Sequence, residues 1–325
     1  MGPEAYRILG AVARPWIYFV RELPADLEAA VGAGVDVKVF SGEGTAPREV
    51  IERDAAGAAA LVTTVGVPVD PALLRALPSL RGVSNCAVGV DNIDVAACTE
   101  LGLWVGHTPD VLTDATADLA FALLLAAARR LPEGERMVRG GDFGGPWHPR
   151  KLLGADLTGR TLGIVGMGRI GRAVARRAEG FGLRVIHHSR SGGVPFDALL
   201  SESDFVSIHC PLTEETRHLF DDLAFSRMKR GAILVNTARG PIVDEAALVR
   251  ALDAGTLRAA GLDVFEREPE VHPGLLARDN VALAPHIGSA TDDTRRRMAE
   301  LAAENAGAIA RGERPRFAVN TPSGR

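Results

Sequence analysis

Short apolar runs alternate with amphipathic stretches along the whole chain, a pattern that predicts strands and helices in turn. Strands that alternate with helices are typical of βαβ units and of a parallel sheet. The first part of the chain predicts buried strands over 6–12, 35–40, 59–65 and 82–86, with helices over 47–56 and 71–76.

A second set of apolar runs predicts six further strands. They cover 161–165, 184–189, 205–210, 232–236, 259–264 and 281–285. Six is the number expected of a complete dinucleotide-binding domain. The pattern therefore predicts a second parallel sheet in the same chain.

A long apolar helix over 113–130 separates the two sets, with Thr113 and Asp114 as its expected N-terminal caps. We interpret this helix as a link between two domains. Its apolar residues lie on several faces, which indicates burial either within its own chain or against a second subunit. The last predicted helix, over 292–310, follows the sixth strand and could return to the first domain.

Length and composition narrow the class of protein. The chain has 325 residues, which favours about two domains, and its net charge of -4 gives no general attraction to nucleic acid or to anionic membranes. We expect no membrane span and no signal peptide. Cys86, Cys98 and Cys210 lack the spacing of metal ligands, so we expect no metal site and a cytoplasmic protein with reduced thiols.

The motif Gly-Met-Gly-Arg-Ile-Gly at residues 166–171 lies between a predicted strand and a predicted helix. In that context it is typical of a turn that binds a dinucleotide. Gly166 permits the tight turn, Gly168 lets the backbone approach a pyrophosphate, and Gly171 lets the helix pack close to the strand. The free N–H groups at the start of the helix would face the phosphates.

The end of the next strand indicates which dinucleotide is bound. NAD enzymes usually place a carboxylate there to bind the ribose hydroxyls, but this strand ends with His188, Ser189 and Arg190. A guanidinium suits the 2′-phosphate of NADP, which a carboxylate would repel. We therefore expect NADP, with NAD as a weaker cofactor. The alternative is that Arg190 is only a surface residue and that either cofactor is used.

Three later strands end with residues that could reduce a 2-keto acid. Arg239 could hold the carboxylate and polarise the carbonyl, and His286 could give a proton to the forming alkoxide. Glu268 could orient the histidine and favour its charged form. Because ligands of open α/β sheets bind outside the carboxyl ends of the strands, we expect all three at one crevice.

A loop in the first domain offers a second group of candidates. Val88 and Gly89 could present backbone N–H groups to a substrate carboxylate. The alternative is a simple turn before a helix near residue 93, with Asp91 or Asn92 as the cap. Both interpretations could hold together.

Five motifs occur in the order found in the D-isomer-specific 2-hydroxyacid dehydrogenases, a family that the chain resembles over nearly its whole length. They are Val-Gly-Val-Asp-Asn-Ile-Asp, the glycine turn, Asn-Thr-Ala-Arg-Gly, Gly-Leu-Asp-Val-Phe-Glu-Arg-Glu-Pro and Pro-His-Ile-Gly-Ser-Ala-Thr. Within the family, the chain is most similar to the glyoxylate/hydroxypyruvate reductases, through residues 108–114 and 129–133 and through Ser189 and Arg190.

The resemblance implies two doubly wound parallel-sheet α/β domains. A flavodoxin-like substrate domain is expected over 1–108 and 290–325, and a Rossmann domain that binds NADP over 109–289. The family is dimeric, which implies a homodimer with the helix 113–130 in its interface. Trp147 is the residue that could enter the active site of a partner subunit, although residues 144–149 depart from the reductase pattern.

The resemblance also assigns roles to residues. The family's catalytic arginine, glutamate and histidine correspond to Arg239, Glu268 and His286, and its substrate-carboxylate loop to Val88 and Gly89. The implied reaction is the NADPH-dependent reduction of a small 2-keto acid to the D-2-hydroxy acid, with His286 as general acid. Beyond the glycine turn and residues 188–190, the residues expected to line the cofactor are Thr113, Arg169, Ile170, Cys210, Pro211, Thr216, Thr237, Ala238, Asp263, His286 and Gly288.

Other functions remain alternatives. A 2-ketogluconate reductase would use the same carboxylate clamp. Phosphoglycerate dehydrogenases share the catalytic residues, but most carry the acidic NAD signature that this chain lacks. Formate dehydrogenases have a glutamine in place of the glutamate. A different class, the corepressors that resemble these enzymes, senses dinucleotides and keeps the three catalytic residues. The missing NAD acid and the absence of long partner-binding tails weigh against that class.

Overall fold

A computed structural model describes residues 14–146 and 148–323 of the chain. The strand predicted over 6–12, and Trp147, lie outside the described residues. The described residues up to Val111, together with those from Asp292 onward, form one compact unit, called unit 1. Leu112–Thr291 forms the other, called unit 2. The assignment of one unit to the substrate and the other to the cofactor stays a prediction.

Unit 1 contains a five-stranded parallel sheet in the order β2-β1-β3-β4-β5, the flavodoxin-like order. Aspartates accept hydrogen bonds from the first turns of three of its four N-terminal helices, which defines where those helices begin. The elements are β1 (Trp16–Phe19), α1 (Leu27–Val31), β2 (Asp36–Val39), α2 (Arg48–Asp54), β3 (Ala60–Thr63), α3 (Pro71–Ala76), β4 (Gly82–Asn85), α4 (Val95–Glu100) and β5 (Trp104–Gly106).

Unit 2 contains a seven-stranded sheet with apolar clusters on both faces. Its elements are α5 (Thr113–Ala128), α6 (Leu131–Arg139), β6 (Thr161–Val165), α7 (Arg169–Gly180), β7 (Arg184–Ser189), β8 (Gly192–Gly193), α8 (Phe196–Glu202), β9 (Phe205–Ile208), α9 (Asp222–Arg227), β10 (Ala232–Asn236), α10 (Glu245–Asp253), β11 (Leu257–Leu262), α11 (Pro273–Leu276) and β12 (Val281–Leu283). The last helix, α12 (Asp292–Ala310), belongs to unit 1.

The strands of unit 2 lie in the order β12-β11-β10-β9-β6-β7-β8. All neighbours are parallel except β7 and β8, which form an antiparallel hairpin. This is the Rossmann order, with β6 as the central first strand. The carboxyl ends of β6, β9, β10, β11 and β12 therefore meet at one edge of the sheet, so the loops that follow these strands are neighbours.

Several expected elements differ from the structure. The strands β1 and β5 were not predicted, because β5 has only three residues and β1 is separated by only three residues from the apolar run predicted as a strand over 6–12. The prediction of six strands in the second set was wrong by one, since β8 consists of two glycines that carry no apolar pattern. The predicted caps of α5 were also wrong. Leu112 occupies the cap position without a side-chain bond, and Thr113 and Asp114 lie inside the first turn.

The helix α5 packs on the sheet of its own unit. Its residues Ala117, Ala120, Leu124 and Ala127 are buried and belong to the same apolar cluster as residues of β6 and β10. A Cβ atom added to Gly261 in β11 would lie 2.9 Å from the Cβ of Leu123, so the glycine permits the close approach of helix and sheet. Of the two expected settings, burial within its own chain therefore accounts for this face of the helix.

Two glycines of the turn after β6 meet opposite surroundings. A Cβ atom at Gly171 would overlap the carbonyl oxygen of Gly166, whereas a Cβ atom at Gly168 would meet no described atom within 4 Å. We expect Gly171→Ala to lower the free energy of unfolding by about 1–3 kcal/mol, because the helix must move away from the strand. Gly168→Ala is the matched control and should change it by less than about 0.5 kcal/mol. Urea unfolding measures both; equal effects would contradict the packing argument.

Candidate active site

The turn after β6 has the geometry of an anion-binding loop. Gly166 has a φ of 99°, a conformation that favours glycine, and a Cβ atom there would overlap the backbone of Cys210. The helix α7 begins at Arg169, with Gly168 at the cap position and no side-chain cap. Its first N–H groups are therefore left for a ligand, and the open space beside Gly168 leaves room for one.

The hairpin after β7 positions the three residues expected to select the cofactor. The Nδ1 atom of His188 lies 3.0 Å from the carbonyl oxygen of Val194, and the hydroxyl of Ser189 donates to the carbonyl oxygen of Gly192 at 3.0 Å. Arg190 is exposed at the tip of the hairpin. The pKa of Glu215 is lowered mainly by a hydrogen bond from Thr213, and the nearby charge of Arg190 lowers it further. Of the three side chains, the guanidinium is thus the exposed cation at this strand end.

The strand β9 leads into the loop that carries three further candidates. Burial raises the pKa of Cys210 to about 11, so its thiol is neutral at physiological pH. The hydroxyl of Thr216 donates to the carbonyl oxygen of Pro211 at 2.8 Å and accepts from the N–H of Thr213 at 2.8 Å. The side chain of Thr216 therefore shapes the loop, and a cofactor contact from this loop stays a prediction.

Two buried polar atoms directly after β9 and β10 lack a partner among the described residues: the Nδ1 atom of His209 and the hydroxyl of Thr237. His209 was not predicted, and burial lowers its pKa to about 3, so its ring is neutral. Its Nε2 atom lies 2.7 Å from the hydroxyl of Ser207. Orphaned polar atoms and a glycine that leaves open space fit a polar ligand such as a dinucleotide.

A histidine and a glutamate form a hydrogen-bonded pair at the ends of β11 and β12. The Nδ1 atom of His286 lies 2.7 Å from the Oε2 atom of Glu268, and the Oε1 atom of Glu268 accepts from the N–H of Phe265 at 3.0 Å. With the proton of Nδ1 directed at the carboxylate, Nε2 is the ring atom left to exchange a proton with a substrate. Each side chain is about one third exposed, so water and small molecules can reach the pair.

The loop that carries His286 is anchored by Asp263, which is 1% exposed. Its carboxylate accepts from the N–H groups of Ile287 and Gly288 at 2.7 and 2.8 Å, and its carbonyl oxygen accepts from the N–H of His286 at 2.8 Å. Burial raises the pKa of Asp263, while the two N–H bonds oppose that effect. The carboxylate is thus committed to the backbone, and its expected cofactor contact stays a prediction.

The charges around Glu268 keep it ionised. Burial raises the pKa of Glu268, but the hydrogen bond and the charge of His286 lower it, with smaller contributions from the N–H of Phe265 and the charge of Arg239. The net result is a pKa below the ordinary value, so Glu268 is a carboxylate at neutral pH. The contribution of Arg239 also shows that the guanidinium lies near the pair.

Arg239 follows β10 on a loop that touches the Glu268 loop. The Nδ2 atom of Asn236 donates to the carbonyl oxygen of Arg239 at 2.9 Å, and the N–H of Ala238 donates to the Oδ1 atom of Asn236 at 3.0 Å. A Cβ atom at Gly240 would overlap the carbonyl group of Phe265. The structure therefore brings Arg239, Glu268 and His286 together, as the strand ends predicted, although their catalytic roles stay predictions.

The loop with Val88 and Gly89 lies in unit 1 and is held by its carbonyl groups. The Nδ1 atom of His107 lies 2.9 Å from the oxygen of Val88, and the Nδ2 atom of Asn85 donates to the oxygen of Gly89 at 2.8 Å. The expected cap was wrong, because Asp94 caps α4. Asn92 instead donates to the carbonyl oxygens of Thr64 and Val67. The substrate role of this loop stays a prediction.

The remaining candidates lie at the starts of helices or in loops. Thr113 is the first residue of α5, Arg169 and Ile170 open α7, and Gly288 follows His286. In the described part of the chain, no group of His, Cys, Asp or Glu side chains could hold a metal ion. None of the described helices is both long enough and apolar enough to span a bilayer.

Known proteins resemble the chain in sequence and in fold. Residues 121–288 match the model of the D-isomer specific 2-hydroxyacid dehydrogenase NAD binding domain. A glyoxylate reductase of Korarchaeum cryptofilum is 48% identical over 94% of this chain and 96% of its own length. The crystal structure of the TT0316 protein from Thermus thermophilus superposes with a TM-score of 0.88 at 45% identity, covering 94% of this chain and all of that one.

A third relative was solved with a cofactor. The NADPH-dependent glyoxylate/hydroxypyruvate reductase of Sinorhizobium meliloti, in complex with NADP and malonate, is 32% identical with a TM-score of 0.82, covering 95% of this chain and 98% of that one. Fold and site together define an oxidoreductase built on a dinucleotide-binding sheet. The chain belongs to the D-isomer-specific 2-hydroxyacid dehydrogenase family, which confirms the resemblance of its motifs.

Proposed function

We propose that this protein reduces a small 2-keto acid, glyoxylate or hydroxypyruvate, to the D-2-hydroxy acid with NADPH. The observation that carries the proposal is the hydrogen bond between His286 and Glu268 at the carboxyl edge of a Rossmann sheet, with Arg239 near it. Relatives named glyoxylate reductase support the substrate, since they are 45–48% identical over nearly the whole chain.

The three side chains divide the work. Arg239 forms charge-assisted hydrogen bonds with the substrate carboxylate and polarises the keto oxygen. His286 donates the proton of Nε2 to that oxygen as it becomes an alkoxide, and Glu268 stabilises the charged imidazole and fixes its orientation. A nicotinamide dinucleotide held at Gly166–Gly171 supplies the hydride when bound. In the reverse direction, Nε2 of neutral His286 accepts the proton of the hydroxy acid.

The preference for NADP rests on the hairpin between β7 and β8. The strand ends without a carboxylate, and exposed Arg190 presents a guanidinium that suits a 2′-phosphate. Glu215, whose pKa the charge of Arg190 helps to lower, competes for the same cation. A 2′-phosphate carries the greater charge, so it displaces this exposed interaction.

We propose a homodimer whose interface includes α6. None of the residues of α6 is buried in the single chain, and large apolar side chains are exposed on it and on the loop that follows. Leu131 and Val138 are each 57% exposed, Phe143 is 72% exposed and Leu153 is 55% exposed. A second copy would remove this apolar surface from water. Three free cysteines and a net charge of -4 support a cytoplasmic enzyme that does not bind nucleic acid.

The reaction is tested by measuring NADPH oxidation with a panel of glyoxylate, hydroxypyruvate, pyruvate and 2-ketogluconate. We expect turnover of the first two and a loss of about 10²–10⁴-fold in kcat for His286→Ala, the range typical of a lost general acid. His272→Asn is the control, because asparagine can replace His272 as the cap of α11. Oxidation with none of the four acids would favour a dinucleotide-sensing binding protein instead.

The cofactor preference is tested by Arg190→Ala. The KM for NADPH should rise by about 10- to 100-fold, the loss expected for a hydrogen-bonded charge, while the KM for NADH changes less than about twofold. Arg184→Ala is the matched control, since Arg184 begins the same strand and pairs with Glu202 at 2.9 Å. If Arg190→Ala raised the KM for NADPH and for NADH equally, Arg190 would not bind the 2′-phosphate.

The dimer is tested by placing a charge on α6. Sedimentation of the wild-type protein should give twice the mass of the chain, and Val138→Glu should give the mass of one chain, because a buried unpaired carboxylate is costly. Leu223→Glu, at a side chain that is 56% exposed elsewhere in unit 2, should remain dimeric. A wild-type monomer at micromolar concentration would refute the proposed interface.

A further inference from the structure

A buried glutamate lies beside the active-site loops without a catalytic role. Glu245 opens α10 and is only 6% exposed. Among the described residues it forms no ion pair within 4 Å. A carboxylate taken out of water without a cation destabilises a protein unless other groups replace its hydration. Its partners therefore indicate what it does.

Those partners are backbone and side-chain groups of Glu266, in the loop after β11. The Oε1 atom of Glu245 accepts from the N–H of Glu266 at 2.8 Å, and the N–H of Glu245 donates to the Oε2 atom of Glu266 at 3.2 Å. The two residues thus exchange a pair of hydrogen bonds. The exchange ties the start of α10 to the loop that carries Glu268.

The hydrogen bond from the N–H of Glu266 to Glu245 lies next along the backbone to the hydrogen bond that orients Glu268. The N–H of Phe265 donates to the Oε1 atom of Glu268, and the next N–H along the chain, that of Glu266, donates to Glu245. Two successive N–H groups are therefore each fixed by a carboxylate. A shift of the second peptide group also moves the first, and with it the oxygen that faces His286.

A third element meets the same loop. The Oε1 atom of Glu266 lies 3.0 Å from the Nε2 atom of His218, and Gly240, next to Arg239, packs against the carbonyl group of Phe265. The loop is thus held from several sides, but Glu245 supplies the buried carboxylate that binds its backbone.

We propose that Glu245 is a positioning residue that acts through Glu268: it holds the peptide groups of residues 265 and 266 so that Glu268 stays aligned with His286. The expected effects on kcat rest on the proposed function. The expected effect on the pKa of Glu268 rests on the geometry alone. Glu245 itself touches neither substrate nor cofactor in this role.

The surroundings of Glu245 allow the residue to be changed without leaving a sealed void. A cavity of about 400 Å³ is lined by Glu245, Glu266 and Glu270, among other residues, so water can enter where a side chain is removed. Glu245→Ala removes the acceptor for the loop N–H. Glu245→Gln keeps an oxygen that can accept from it, which makes it the conservative rescue variant.

We expect Glu245→Ala to lower kcat for the keto acid by about 10- to 100-fold, because a misplacement of about 1 Å costs on this scale, while the KM for NADPH stays within about twofold. Glu245→Gln should recover most of the rate. Glu270→Ala is the matched control, an exposed carboxylate on the same loop and cavity, and should leave the kinetics unchanged. An equal fall of kcat in Glu245→Ala, Glu245→Gln and Glu270→Ala would overturn the proposal.

A double-mutant cycle separates positioning from a general loss of stability. In a Glu268→Ala background, adding Glu245→Ala should lower kcat by less than about twofold, because the residue through which it acts is gone. If the two losses multiply, Glu245 acts by another route and the proposal fails. The same cycle with Glu245→Met, which keeps the length of the side chain but removes the carboxylate, gives a second measurement if Glu245→Ala does not fold.

A titration of the Glu268 carboxyl carbon by NMR provides a readout that needs no activity. Glu245→Ala should raise the pKa of Glu268 towards its ordinary value, since the N–H bond and the charge of His286 are then less well aligned with it; Glu270→Ala should not. An unchanged pKa would refute the positioning role. An absence of keto-acid reduction by the wild-type protein would refute only the proposed function, because this titration tests Glu245 independently.

Discussion

The hydrogen bond between His286 and Glu268 is the interaction on which the proposed chemistry depends. It joins the loops that follow two neighbouring strands, and its geometry depends on the backbone of those loops. Each partner is oriented by main-chain groups: Glu268 by the N–H of Phe265, and His286 through Asp263. A parallel sheet places the ends of β11 and β12 side by side, so the fold itself brings the loops that carry the pair close together.

Buried carboxylates that bind backbone N–H groups recur around this pair. Asp263 binds the N–H groups of two residues after His286, and Glu245 binds one N–H two residues before Glu268. A cation in these places would satisfy the charge, but it would also add a competing field beside the catalytic pair. N–H groups compensate the buried charge with dipoles that cannot move away, which keeps the loops rigid and leaves Glu268 to interact with His286 and Arg239.

The sequence predicts the parts of this arrangement that depend on local pattern. The strands β6, β7 and β10, the glycine turn and the three catalytic candidates are all placed by apolar runs and by the residues that follow them. The role of Asp263 as an anchor could not be predicted, because it depends on N–H groups 24 and 25 residues away along the chain. Glu245 looks like an ordinary acid in the first turn of a helix, and its burial follows only from the loop that packs against it.

The glycine turn shows that a motif predicts where glycines occur but not why each position requires one. Gly171 and Gly168 are the same residue three positions apart, yet Gly171 is required by the close approach of its helix to Gly166, whereas Gly168 adjoins open space. Protein packing explains the first glycine completely and the second not at all. We interpret the room beside Gly168 as space for a ligand, a role that stays a prediction. The first turn of α7, whose N–H groups lack a side-chain cap, would suit an anion at this place.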